Sequence, residues 1–229
     1  MLCLFCCLNY CMRKKYRIVK SETHIQKPHI VLCAPKKTGK TTLIERIMQE
    51  AIAPAIGPPM PVYGFQTKRI SGPDGINRIY MFPAGLSQTD KNSPDARYLG
   101  STCGHVRDVC TETFETCGTA LIRSARPGGL IIMDEIGHME KDARLFLQAV
   151  FDALDGDIPV LASVRYTDDP IDYLERIKHH PQVRLYMLTG ENRDAVYAKI
   201  RNTIFGDRKE EKDYEPNKSQ KSSFSHNLL

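Results

Sequence analysis

Apolar residues fall along this chain in two alternating rhythms. HIVLC (29–33), GLIIM (129–133), IPVLASV (158–164) and VRLYML (183–188) are short apolar runs with a β-branched bias, as buried strands are. Between them, KTTLIERIMQEA (40–51), EKDARLFLQAVFDAL (140–154), PIDYLERIKHH (170–180) and NRDAVYAKIRNTI (192–204) repeat apolar positions at helical spacing. VYGFQTKRI (62–70) and INRIYMFPA (76–84) flank the turn SGPDG and predict an antiparallel hairpin. Residues 86–101 are polar, with Gly, Ser and Pro, and predict a loop. Cys103, Val106, Cys110, Phe114, Cys117 and Leu121 share one helical face, which predicts a long helix over 103–124 with buried free thiols. Strands alternating with helices predict an α/β fold: a mainly parallel sheet with helices on both faces and a hairpin attached.

Charge alters this picture only at the ends. The chain of 229 residues has a formal charge of +5. Residues 1–20 hold five basic side chains and no acid, 207–229 hold five of each sign, and 21–206 hold 22 of each. The excess belongs to the leader, so the body lacks the basic footprint of a nucleic-acid binder. The expected division is a poorly ordered leader (1–28), a domain (29–205) and a disordered polar tail (206–229). The four cysteines of CLFCCLNYC stand too close together to cross-link distant elements, and they lack the two separated pairs of a zinc ribbon. A membrane-associating or acylated segment, a metal knot and an incidental extension are the competing readings of the leader, and the last is preferred. No run is long enough to span a membrane, and the cysteine usage suits a reducing, cytoplasmic location.

The chemistry concentrates where strand 29–33 meets helix 40–51. Ala34-Pro35-Lys36-Lys37-Thr38-Gly39-Lys40-Thr41, followed by Thr42, is a phosphate-loop pattern. Successive backbone N–H groups and the helix's positive end would cradle a triphosphate. Lys40 would reach the β- and γ-phosphates, and the Thr41 hydroxyl would coordinate Mg2+. The loop opens with Ala34, which tolerates many backbone shapes but not glycine's left-handed ones. Such a loop needs an acid at the end of a neighbouring strand. GLIIMDEIGHME supplies Asp134 for the metal and Glu135 to orient or deprotonate a water. Glu140 and Asp142 are placed to cap the helix that follows.

APKKTGKTTLIERI, GLIIMDEIGHMEKDARLFLQAVFDAL, PVLASV and PQVRLYMLTGENRDAV together resemble the small P-loop nucleoside-triphosphatases, the family of the cancer-related nucleoside-triphosphatase and its thermophile relatives. The likeness runs from about His29 to about Phe205, with DEIG-x-ME and T-x-ENRD its most specific parts, and GFQT (64–67) is similar to the family's second strand region. It implies a three-layer, kinase-like P-loop NTPase fold and slow, Mg2+-dependent hydrolysis of ATP, GTP and other nucleoside triphosphates. Two departures stand out. The family loop reads Gly-x-Pro-Gly-x-Gly-Lys-Thr, against Ala34, Lys36 and Lys37 here, and His138 stands where lysine is expected.

No Asn-Lys-x-Asp guanine motif follows VRLYML; Asn192 and Arg193 stand there, with Asp194 one residue too early. Arg193 is expected to stack on the base without discriminating between bases, the alternative being that Asn192 and Arg193 cap the last helix. Two other functions remain open. One is a kinase for a nucleoside or nucleic-acid 5′-end, with Arg165, Arg176 and Lys178 as basic candidates. The other is a non-catalytic nucleotide-gated binder. His179 and His180 read as a helix end rather than as metal ligands.

Overall fold

The computed structural model describes residues 28–52, 58–86, 91–103 and 106–206. The Cys-rich leader and the polar tail, apart from Pro28 and Gly206, lie outside the described residues. Eight strands form one sheet: β1 (His29–Ala34), β2 (Val62–Ser71), β3 (Asn77–Pro83), β4 (Arg97–Cys103), β5 (Val106–Val109), β6 (Leu130–Ile136), β7 (Val160–Arg165) and β8 (Val183–Met187). Their order is β5-β4-β3-β2-β6-β7-β1-β8. β2, β6, β7, β1 and β8 run parallel, and β3, β4 and β5 extend the sheet as an antiparallel meander.

Alternation within the strands feeds two cores. In β1, Ile30 and Leu32 face one side, where they join Leu43, Ile44 and Ile47 of α1 (Lys40–Ile52) and Val196 and Ile200 of α6 (Arg193–Phe205). Val31 and Cys33 face the other, which holds Phe146 and Val150 of α4 (Arg144–Asp155) and Leu174 and Ile177 of α5 (Asp172–Lys178). A strand buried on both faces is apolar along most of its length, which is why β1 after His29 and β6 as far as Met133 read as unbroken runs. The second core centres on Phe146, whose ring lies 5.5 Å from Phe65 and 5.3 Å from Phe114.

Two expectations are corrected here. The segment predicted as a loop over 86–101 contains the start of β4, and the helix predicted over 103–124 starts only at Thr111. Cys103 and Val106 belong to β4 and β5, which pair with each other and, through β4, with β3. The seven-residue spacing is genuine from Cys110 onward, but sheet pairing claims the residues before it. The helix itself comprises α2 (Thr111–Thr113), a π-helical turn (Phe114–Gly118) and α3 (Thr119–Arg123). Cys33 is buried, whereas Cys110 and Cys117, expected to be buried, are only half-buried; all three are free thiols.

Candidate active site

The site sits at the carboxyl ends of β1, β6 and β7, where a parallel sheet places its loops. β1 is buried along its whole length and releases the chain at Ala34. The loop then turns tightly to reach α1, with Lys37 at φ 63° and Gly39 at φ 93°. Ala34 is still strand, so the missing first glycine costs nothing. Lys37 is where the strain falls, because a side chain in the left-handed region costs roughly 1–2 kcal/mol. The family pattern has glycine at that place, and this chain does not.

Lys40 is 6% exposed, and its Nζ donates to the carbonyl oxygens of Ala34 (2.9 Å) and Pro35 (3.1 Å). The ammonium is therefore folded into the loop that a triphosphate would fill. Thr38 Oγ1 donates to the Pro35 carbonyl at 2.9 Å, tightening the same turn. Lys36, Lys37 and Thr42 are exposed.

Asp134 ends the apolar part of β6 and is 1% exposed. Ser163 Oγ of β7 donates to its Oδ1 at 2.5 Å, and the Thr41 hydroxyl lies near enough to the same carboxylate to favour its charged form. Burial pushes the Asp134 carboxyl up from its ordinary range and the nearby Glu135 adds to this, while the two hydroxyls and the Lys40 charge pull it down. A carboxylate this deep wants a cation beside it. The Thr41 hydroxyl and the Asp134 carboxylate are hard oxygen donors of the kind Mg2+ takes. Among the described residues no group of three or more His, Cys, Asp or Glu could hold a metal ion. The pair therefore suits a cation that draws its other ligands from phosphate and water rather than from a protein cage.

Glu135 lines a cavity of about 310 Å³ that also takes in Thr41, Glu140 and Arg165. Glu140 and Asp142 do not cap α4: the helix starts two residues or more beyond them, with Ala143 at its N-cap position. Glu140 is 4% exposed instead, and its Oε2 accepts from the Gly137 N–H at 3.0 Å. Burial pushes its carboxyl up to about 7, against the backbone N–H bonds that favour the charged form. The Tyr173 phenol donates to the Gly137 carbonyl and completes this clasp on the turn after β6. Burial, aided by Glu140, raises the Tyr173 phenol. His138 Nδ1 accepts from Arg165 Nη1 at 3.3 Å.

At the far side, Asn192 occupies the N-cap position of α6 without capping it. Its Nδ2 donates to the Met187 carbonyl (2.8 Å) and its Oδ1 accepts from the Thr189 N–H (2.9 Å), so its amide holds the turn after β8. Arg193 is exposed, and its guanidinium lies over the loop glycine: a Cβ on Gly39 would come 3.3 Å from Arg193 Nη1. Arg176 and Lys178 stay on α5, and neither lines the cavity that Arg165 enters. Ser163 and Arg69 escaped the sequence reading, and Glu140 entered it only as a helix cap. A lone serine inside PVLASV was the available sign, because a hydroxyl within a buried strand needs a partner.

The profile of a family described as NTPase matches residues 29–201. The nucleoside-triphosphatase THEP1 of Thermotoga maritima is 28% identical over 182 residues, covering 76% of this chain and 94% of the relative. The human cancer-related nucleoside-triphosphatase is 28% identical over 198 residues, 79% of this chain and 98% of the relative. THEP1 of Thermofilum pendens is 35% identical over 97 residues, and this match spans about half (53%) of that relative. The solution structure of the human protein superimposes with a TM-score of 0.57 at 26% identity, covering 79% of this chain and 99% of the other. The crystal structure of Aquifex aeolicus THEP1 gives 0.58 at 22% identity over 75% of this chain and 96% of the other, a likeness of fold.

Proposed function

This chain belongs to the NTPase family of small P-loop nucleoside-triphosphatases and is a hydrolase, and on that premise we propose that it cleaves ATP, GTP and related triphosphates with Mg2+ as cofactor. The observation that carries the reading is the contact between Thr41 and Asp134 at the mouth of the phosphate loop, with Glu135 in the adjoining cavity.

The loop's N–H groups and the start of α1 bind the phosphates. Lys40 exchanges its two backbone carbonyls for the β- and γ-phosphate oxygens and keeps its charge buried among them. Thr41 and Asp134 would hold Mg2+, which when bound would offset charge on the phosphates. Ser163 orients Asp134. Glu135 orients a water in the cavity and accepts its proton as the water oxygen bonds to the γ-phosphorus, while the bond from that phosphorus to the bridging oxygen breaks and its electron pair leaves with the nucleoside diphosphate. Arg193 lies across Gly39 and covers the nucleotide's outer end. A reducing, cytoplasmic setting is part of this proposal, supported by the free thiols of Cys33, Cys110 and Cys117.

The test separates binding from turnover. Lys40→Ala should abolish hydrolysis and weaken triphosphate binding. Glu135→Gln should bind a fluorescent ATP analogue as wild type does while losing about 100-fold or more in kcat, because a base acts only in the transition state. A Glu135→Gln enzyme at the wild-type rate would remove Glu135 from this role.

A further inference from the structure

A water needs little of the space beside Glu135. The 310 Å³ cavity is floored by Ile79, Leu99, Phe114 and Met139, an apolar surface that hydrolysis does not use. It adjoins a second cavity of about 230 Å³, the two sharing Arg69, Ile79, His138, Met139 and Arg165. The second cavity is lined by Lys36, Arg69 and Arg165 with Asn77 and Thr102, and among the described residues no acidic one lines it. The carboxylates Glu135 and Glu140 thus line the first cavity, Arg69 and Arg165 line both along with the apolar Ile79 and Met139, and Lys36 is added in the second.

Each cation has a reason to be there. Arg165 ends β7, in register with Ala34 at the opening of the phosphate loop, and the His138 ring holds its guanidinium. Arg69 has no ion-pair partner among the described residues, whereas its neighbour Lys68 is paired with Glu45 at 2.6 Å. Lys36 enters the loop where the family pattern has proline. Two guanidinium forks and an ammonium match a phosphate's several oxygens better than a carboxylate's two.

We propose that the joined cavities are an acceptor site for a phosphorylated alcohol, with its phosphate on Arg69 and Arg165 and its hydroxyl at Glu135, and that it receives the γ-phosphoryl group in place of water. In this step the hydroxyl oxygen bonds to the γ-phosphorus and its proton passes to the Glu135 carboxylate. The bond from the γ-phosphorus to the bridging oxygen breaks, and its electron pair leaves with the nucleoside diphosphate. The inference rests on a triphosphate occupying the phosphate loop. The even charge over 21–206 favours a small acceptor over a nucleic-acid strand.

ATP labelled in its γ-phosphate would be offered to the full chain with cytidine 3′-monophosphate, glycerol 3-phosphate, plain cytidine, plain glycerol or a 5′-hydroxyl oligonucleotide. The expected result is label on cytidine 3′-monophosphate or glycerol 3-phosphate, with a KM about tenfold or more below that of the matching unphosphorylated alcohol, cytidine or glycerol. Arg69→Ala should raise that KM by about tenfold while changing kcat less, and Arg69→Lys should recover part of the loss. Label appearing only as inorganic phosphate while hydrolysis proceeds would overturn the acceptor site and leave the hydrolase reading standing. Equal use of an alcohol with and without its phosphate, or preference for the oligonucleotide, would overturn it as well. Neither hydrolysis nor transfer would overturn both readings.

Discussion

At the residue scale, the loop's unusual composition resolves into one strained position. Among the described residues, Lys37 is the one non-glycine with positive φ. Lys37→Gly should therefore raise the urea midpoint by an amount worth about 0.5–1 kcal/mol, the relieved strain less glycine's extra chain entropy. Glu140 offers a test by pH. Its ordinary value of 4.5 is raised to about 7 in the folded protein, so the unfolded chain ionises first as pH rises. The protonated group's contribution is full below about 4.5 and is lost as pH climbs through about 7, a fall of roughly 3 kcal/mol. Glutamine keeps an oxygen for the Gly137 N–H and has no charge to bury. Glu140→Gln should flatten this part of the stability profile, as read by thermal melts between those pH values. Arg193 offers a test by kinetics. Lying over Gly39, it should serve ATP and GTP alike within about tenfold, roughly 1.4 kcal/mol. Arg193→Ala should raise KM for both with little change in kcat, and strict use of one nucleotide would contradict this.

At the element scale, the helix over 111–123 shows packing overruling local preference. Its π-helical turn brings Gly118 against Phe146, where a Cβ would lie 2.8 Å from the ring. Alanine in a helix normally gains up to about 1 kcal/mol over glycine. Gly118→Ala should instead lose about 1–3 kcal/mol, because the ring is locked between Phe65 and Phe114 and cannot move aside. A stabilised variant in urea unfolding would mean that this contact is loose. The parallel strands and their helices were legible because burial on both faces writes an unbroken apolar run. β4 and β5 were not, because the outer strands of a meander can be polar and are defined by the partners they pair with.

At the scale of the molecule, the chain order of the strands scatters the site and the sheet reassembles it. β1 and β6 are separated in sequence by the whole hairpin and meander, yet only β7 lies between them. That arrangement brings the hydroxyls of Thr41 and Ser163 to the Asp134 carboxylate. The domain's charge balance suggests that the ends contribute nothing to this chemistry. Deleting residues 1–20 removes five basic side chains and no acid, so hydrolysis should continue at the wild-type kcat. A shortened chain that folds by circular dichroism yet fails to hydrolyse ATP would tie the leader to the site.

The sequence by itself determined the phosphate loop, the carboxylates after β6 and the βα alternation that carries them, because each is a local pattern of residue types at fixed spacing. Tertiary structure decided the rest. Glu140, readable as a helix cap, became a buried carboxyl when the turn after β6 folded under it. Arg69 and Arg165, far apart in the chain, came to face one cavity because β2 and β7 both flank β6. Spacing along a chain predicts what a strand or helix will carry, whereas which carried groups meet depends on strand order, which long-range pairing sets.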